Sequence, residues 1–180
     1  MIVIHANDPT TRVLSLLYEE REDVTTHVTE EFTNGEVTRA LQAGSADNTV
    51  MMLGHGNEYG LFSKPDRRGR QERFLISDRH VQFLRDKNCI GIWCKAEEFA
   101  RRYKLHGLFS GMIISELQEA EECKIAATKE EIDVEIEKFT RRLKDCIERY
   151  GRKETPMRMR ELDDVKSELT DFNYRRLYYF

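Results

Sequence analysis

The sequence predicts an α/β protein whose mostly parallel sheet is flanked by helices. Apolar runs of strand length alternate along the chain with segments of helical periodicity. The strand runs are continuously apolar, which is typical of strands covered on both faces. Two of these runs, Thr49–Gly54 and Cys89–Trp93, are each followed by a residue that can take part in catalysis.

The first 30 residues predict a strand, a helix and an edge strand. The run Met1–Ala6 indicates a buried first strand. Asp8 and Pro9 are typical of an N-cap followed by the first helical position, so a helix is expected to begin there. The β-branched segment Asp23–Thr29 favours a second strand. We expect it near an edge of the sheet because it carries His27 and polar threonines.

The middle of the chain continues the alternation and adds a hairpin. Glu36–Ala43 predicts a short helix, and Thr49–Gly54 predicts the third strand. Tyr59–Phe62 and Arg73–Ile76 favour a small hairpin over the end of that strand. The two hairpin strands are joined by Lys64–Glu72, a basic segment expected to be a solvated surface loop.

Two further strands follow, each with a helix before it. Ser77 is expected to cap a short helix that leads into the fourth strand, Cys89–Trp93. Lys95–Lys104 predicts a helix, and Gly107–Ser115 predicts the fifth strand. These elements complete a predicted α/β domain over residues 1–125.

Residues 126–180 are expected to form a helical extension that packs on the domain or on a partner. An apolar residue recurs every three or four positions between Lys129 and Tyr150, which predicts an amphipathic helix of about six turns. Gly151–Pro156 is expected to break it, and a second, polar helix is expected to follow. Five aromatic residues follow within 172–180, and this tail is expected to dock on its own domain or in a homodimer interface built by the C-terminal helices.

Composition excludes several classes of function. The chain has 180 residues, a formal net charge of −4 and four cysteines without a Cys-x-x-Cys pair. The net charge gives no reason to expect a nucleic-acid partner. No apolar stretch approaches the ~20 residues of a membrane span, and the apolar start is too short for a signal peptide. We therefore expect a cytoplasmic protein with reduced thiols, with no metal and no cofactor.

His55 and Cys94 are the candidate catalytic pair. Each follows an apolar strand, and neighbouring parallel strands lie ~4.8 Å apart, so their carboxyl ends bring the two side chains close together. A cysteine needs a nearby base to become a thiolate at neutral pH, and histidine titrates in that range. Gly56, directly after the histidine, lets the backbone approach a substrate. Its N–H and that of Cys94 form a candidate oxyanion hole.

This pattern resembles the caspase-like cysteine peptidases, including metacaspases, legumain and separase. The resemblance rests on an apolar block before His55-Gly56 and a second one before Cys94, and it covers roughly residues 1–115. It implies that His55 is the general base, that Cys94 is the nucleophile, and that the amides of Gly56 and Cys94 hold the oxyanion. It also implies a peptide or protein substrate.

The resemblance further implies a residue that orients the histidine and a charged specificity pocket. Asn7 stands at the place where legumain-like members carry an orienting asparagine. Asp8 is the best acidic candidate for the pocket and would favour an arginine or lysine in the substrate, with Glu97 and Glu98 as alternatives. Lys95-Ala96 replaces the Arg-Gly of caspases, so aspartate specificity is not implied.

The sequence thus predicts a cysteine endopeptidase with a His-Cys dyad, and the resemblance implies cleavage after a basic residue. One alternative is a non-catalytic module of the same fold that binds a protein partner. A weaker alternative is a flavodoxin-like domain that binds a ligand.

Overall fold

A computed structural model describes residues 1–45, 48–63 and 73–180. It confirms the predicted fold class, since a mostly parallel sheet of six strands is flanked by helices. The predicted connection Lys64–Glu72 lies outside the described residues. The main sheet consists of β1 (Ile2–His5), β2 (Thr26–Val28), β3 (Thr49–Leu53), β7 (Asn88–Ile92), β8 (Gly107–Ser110) and β9 (Leu177–Tyr179). A second, antiparallel sheet consists of β4 (Gly56–Asn57), β5 (Gly60–Phe62) and β6 (Phe74–Ile76).

The strand order of the main sheet is β2-β1-β3-β7-β8-β9. The first five strands in this order are parallel, and β9 runs antiparallel to β8. The prediction that β2 lies at an edge is therefore confirmed. Leu53 of β3 pairs with Ile92 of β7, so these two neighbouring strands end side by side.

Alternating strand residues build two hydrophobic cores, one on each face of the sheet. One face carries Ile4 and Met52 and is covered by α1 (Asn34–Ala43), α2 (Val81–Leu84) and α3 (Ala96–Tyr103). The opposite face carries side chains that pack under the long helix α5 (Lys129–Glu161) and the 3-10 helix Pro9–Leu17; these are Val3, Met51, Leu53, Ile90, Ile92 and Leu108. Apolar residues at every strand position are needed to fill both cores.

The predicted helix after the first strand is present as a 3-10 helix over Pro9–Leu17. Asp8 is its N-cap and accepts a hydrogen bond from the backbone N–H of Thr10, as the sequence predicts. This cap fixes the first turn of the helix against the end of β1. The turn therefore lies near the carboxyl edge of the sheet.

The predicted hairpin is confirmed and gains a third strand. Strand β5 pairs with β6, and it also pairs with β4, which begins at Gly56 directly after His55. The small sheet therefore continues from the end of β3 and lies beside the carboxyl edge of the main sheet. This position follows from the chain path, because no residue separates His55 from the first strand of the small sheet.

The predicted fifth strand is wrong at its end, because β8 stops at Ser110. The backbone of Ile114 instead exchanges hydrogen bonds with the side-chain amide of Asn173, at 2.8 and 3.0 Å. These contacts turn the chain away from the sheet. A short helix follows, α4 (Leu117–Glu122), which leads into the C-terminal third.

The predicted break of the long helix over Gly151–Pro156 is confirmed at Gly151 and wrong at Pro156, which lies inside the second helical segment. The helix kinks at Gly151, where φ is 73° and ψ is 165°, and then resumes to Glu161 with Pro156 inside it. A positive φ is readily adopted by glycine, which explains why the kink falls there. The second helical segment is held against the sheet by Met159, which is fully buried in the core.

The aromatic tail docks on the chain's own sheet. After α6 (Glu168–Tyr174), Leu177–Tyr179 form β9, and the N–H of Phe180 donates to the carbonyl of Gly107 at 3.0 Å. The guanidinium of Arg101 lies over the rings of Tyr178 and Phe180. Within the described ranges, no helix has the length and apolar character required to cross a membrane.

Candidate active site

His55 and Cys94 line the same cleft at the carboxyl edge of the main sheet. Each lies two residues beyond a member of the Leu53–Ile92 pair, on neighbouring parallel strands. The cleft has a volume of about 420 Å³, and we call it the site cleft. Its lining includes four residues that the sequence predicts for the site, which are Asp8, His55, Gly56 and Cys94. It also includes three glutamates, which are Glu116, Glu119 and Glu122.

The ring of His55 is held by Thr10. The Nε2 atom of His55 lies 2.7 Å from the hydroxyl of Thr10, and that hydroxyl donates to the Asp8 carboxylate at 2.9 Å. Because the hydroxyl hydrogen goes to Asp8, the Thr10 oxygen accepts from Nε2–H of the imidazole. This tautomer leaves Nδ1 with the lone pair, and Nδ1 is then the nitrogen that can act as a base.

Thr10 is a site residue that sequence reasoning missed. Asn7, the predicted orienting residue, lines a neighbouring cavity with His5 and His27, and its backbone N–H donates to Glu30 at 2.7 Å. Asp8 lines the site cleft and reaches His55 through the Thr10 hydroxyl. The signal for Thr10 was its place two residues after the N-cap, in the first turn that faces the sheet edge.

Gly56 is fixed by packing against Trp93. A Cβ atom at this position would lie 2.2 Å from Cδ1 of the Trp93 indole and 2.5 Å from the carbonyl oxygen of Gly60. The indole N–H donates to the carbonyl of Asn57 at 3.1 Å, which ties the small sheet to the residue before Cys94. The close approach that glycine allows is therefore used inside the protein, and the role of the Gly56 amide in an oxyanion hole stays a prediction.

Cys94 stands at a sharp strand-to-helix turn. Strand β7 ends at Ile92, and α3 begins at Ala96. Between them Lys95 has φ of 67°, in the left-handed region that costs a non-glycine residue roughly 1 kcal/mol. The Lys95 ammonium pairs with Glu58 of the small sheet at 3.3 Å. Lys104, Lys124 and Lys166 adopt the same left-handed conformation and do not line the site cleft.

Cys94 contacts Glu119, which sequence reasoning also missed. The thiol donates to Oε1 of Glu119, with Sγ and Oε1 3.8 Å apart. Burial, followed by the charge of this carboxylate, raises the pKa of Cys94 to about 12. In the free site Cys94 is therefore a protonated thiol. The only local signal for Glu119 was its spacing from Glu116, since these two residues form the capping box of α4.

The site cleft is lined with acidic groups. Among the described residues that line it, four are carboxylic acids and none is lysine or arginine; the acids are Asp8, Glu116, Glu119 and Glu122. Glu97 and Glu98, the alternative acidic candidates, lie in the first turn of α3 and are not among these lining residues. The site cleft thus has the electrostatic character that suits a cationic ligand.

The described part of the chain holds no group of three or more His, Cys, Asp or Glu side chains placed to bind a metal ion. Comparisons of the chain with models of protein families, with curated proteins and with solved structures find no match. The functional argument therefore depends on the geometry of the site cleft.

Proposed function

We propose that the protein is a cysteine endopeptidase of the caspase-like type, with Cys94 as nucleophile and His55 as general base. The observation that carries the proposal is that both side chains line one cleft at the ends of neighbouring parallel strands. The hydrogen bond between Thr10 and the ring of His55 adds support, since it holds a reacting group in position.

The chemistry follows from these positions. His55 removes the thiol proton through Nδ1, and the sulfur of Cys94 forms a bond to the carbonyl carbon of the scissile peptide while the carbonyl π electrons move to oxygen. When the carbonyl re-forms, the C–N bond breaks and the imidazolium gives its proton to the leaving amine. Water then attacks the thioester with His55 again as base, which releases the carboxylic acid and restores the thiol.

The amides of Gly56 and Cys94 are the proposed oxyanion hole. Gly56 lines the same cleft as Cys94, and the developing negative charge would lie in that cleft. Hydrogen bonds from fixed backbone N–H groups to such an oxygen usually contribute a large share of the rate enhancement. The substrate residue before the scissile bond is proposed to be arginine or lysine, because the lining of the site cleft is acidic.

Incubation with a diverse pool of peptides tests the proposal. Mass spectrometry of new C-termini is expected to show cleavage by the wild-type protein, with arginine or lysine enriched before the cut. Cys94→Ala is expected to abolish cleavage because no nucleophile remains. His55→Ala should lower the rate by about 10²- to 10⁴-fold, the usual contribution of a general base.

Two further variants sharpen this experiment. His106→Ala removes an exposed histidine outside the site cleft and should leave the rate unchanged. Thr10→Val removes the acceptor of His55 Nε2–H, so it should lower kcat more than it changes KM. Peptide pools that are identical after incubation with wild type and with Cys94→Ala would overturn the peptidase proposal.

A second candidate function is a non-catalytic module that binds a protein partner. The observation that favours it is the contact of the half-buried Cys94 thiol with the Glu119 carboxylate, since a carboxylate beside a cysteine raises the pKa of the thiol and opposes formation of the thiolate. The peptide pools distinguish the two functions, because a binding module leaves them unchanged.

We also propose a reducing, cytoplasmic location. The four cysteines are free thiols, and two of them, Cys89 and Cys146, are buried in the cores. Free thiols persist in reducing compartments, whereas oxidising ones favour disulfides. Fractionation of cells that express the tagged full chain checks this assignment, and recovery outside the cytoplasm would contradict it.

A further inference from the structure

Glu119 uses its two carboxylate oxygens in different ways. Oε2 accepts hydrogen bonds from the N–H of Ser115 at 2.8 Å, from the Ser115 hydroxyl at 3.0 Å and from the N–H of Glu116 at 3.1 Å. These three bonds hold the carboxylate at the start of α4. Glu119 lines the site cleft, and its Oε1 receives only the thiol of Cys94 among the hydrogen bonds that the structure describes.

The thiol is a weak partner for this oxygen. An S–H group is a poor donor, and the Sγ–Oε1 distance of 3.8 Å is long. A guanidinium or ammonium group makes charge-assisted hydrogen bonds to a carboxylate that are about twice as strong as neutral ones. A cation that enters the site cleft would therefore replace the thiol at Oε1, and Asp8, Glu116 and Glu122 would attract it there.

We propose that Glu119 is the specificity-determining residue of the site cleft, and that it binds the basic side chain of a substrate and thereby releases the Cys94 thiol from the carboxylate. The inference deepens the proposed peptidase function and rests on it. It assigns to one residue both the choice of substrate and the activation of the nucleophile.

The release matters because of the groups that face Cys94. These are Glu119 from α4, Cys123 from the turn after α4, the backbone at Ile113 and, across the site cleft, His55. Burial and Glu119 are the two largest causes that raise the pKa of the thiol. Pairing of Glu119 with a cation removes the second cause, so His55 can take the proton more readily. A neutral or acidic substrate side chain does not displace the Cys94 thiol from the Glu119 carboxylate. Such substrates are therefore expected to react more slowly than basic ones.

Alkylation of Cys94 by iodoacetamide tests the inference without requiring peptide cleavage. Rates are read for each cysteine by peptide mapping, in the presence of acetyl-arginine amide or of its neutral near-isostere acetyl-citrulline amide. In wild type the arginine compound is expected to speed labelling of Cys94 about tenfold, which corresponds to a pKa lower by about one unit. The citrulline compound should have no effect.

Glu119→Gln supplies the second arm. The glutamine carbonyl can keep the three hydrogen bonds of Oε2, while its NH₂ group faces the sulfur and favours the thiolate. Cys94 of this variant is expected to react at least about tenfold faster than in wild type, with no further gain from acetyl-arginine amide. Glu121→Gln lies on the same helix but does not line the site cleft, so it should behave as wild type.

Equal labelling of wild type and Glu119→Gln would overturn the inference. Acceleration of Glu119→Gln by acetyl-arginine amide, to the same extent as wild type, would also overturn it, because the cation would then act elsewhere. A protein that shows the expected alkylation pattern and cleaves no peptide would contradict the proposed peptidase function while leaving Glu119 as a cation-binding residue. The two failures are therefore distinguishable.

Discussion

Replacing Phe139 with alanine is expected to lower the free energy of unfolding by about 3–5 kcal/mol. Phe139 lies on α5 and is 1% exposed, packed in the core between α5 and the sheet. Its ring makes an edge-to-face contact with Tyr174 of α6, with ring centroids 5.3 Å apart. The alanine variant leaves a cavity where α5, α6 and the sheet meet, and a closely packed core relaxes only partly around such a cavity.

Urea unfolding of wild type and Phe139→Ala measures this loss. The matched control is Val134→Ala on the same helix, because Val134 is 52% exposed and its truncation should change the free energy by less than about 0.5 kcal/mol. A loss of less than about 1 kcal/mol for Phe139→Ala would mean that α5 is not anchored to the sheet as described.

Lowering the pH from about 7.5 to about 4 is expected to cost about 3 kcal/mol of folding stability through His5 alone. His5 ends β1, is 4% exposed, and its ring nitrogens lie 3.0 Å from the Tyr18 hydroxyl and 3.2 Å from that of Thr11. Burial, aided by the charge of His27, lowers the pKa of His5 from 6.5 to about 4. Below about pH 6.5 the unfolded chain binds a proton that the folded protein does not bind until about pH 4. Stability therefore decreases as the pH is lowered from about 6.5 to about 4.

The pH effect of His5 can be separated from that of the other groups by a variant. Burial also lowers the pKa of His27 and of His80, and these residues add to the same trend. The comparison is thus the change in unfolding free energy between about pH 7.5 and about pH 4 in wild type and in His5→Gln, with exposed His106→Gln as control. The same pH dependence in wild type and His5→Gln would contradict the prediction.

Much of the fold could be predicted because it depends on local apolar patterns. The runs that became β1, β3 and β7 are apolar apart from one terminal residue each, and this pattern is enough to place them in the interior of a parallel sheet. The residues that follow β3 and β7 are then brought together by topology alone. His55 and Cys94 could therefore be assigned to one site without any knowledge of side-chain contacts.

The residues that sequence reasoning missed owe their roles to tertiary contacts. Glu119 is 25 positions from Cys94 and reaches it only because the chain leaves the main sheet after Ser110. Thr10 meets His55 across 45 positions. The strand β9 was missed because three residues are too few to show a period, and its aromatic side chains gave only the expectation of a docked tail. Local sequence patterns do not encode which distant surface a polar side chain will meet.

The pairing of β8 with β9 has a consequence for synthesis of the protein. Leu108 pairs with Tyr179, about 70 residues later in the chain, so β8 is the outer strand of the sheet until those residues leave the ribosome. At about 5–20 residues per second, that interval lasts on the order of 4–14 s. An unpaired strand edge can recruit strands from other chains. During this period the edge of Gly107–Ser110 is unpaired in the nascent protein. Helices of the chain, chaperones or rapid synthesis must then prevent its pairing with strands of other chains.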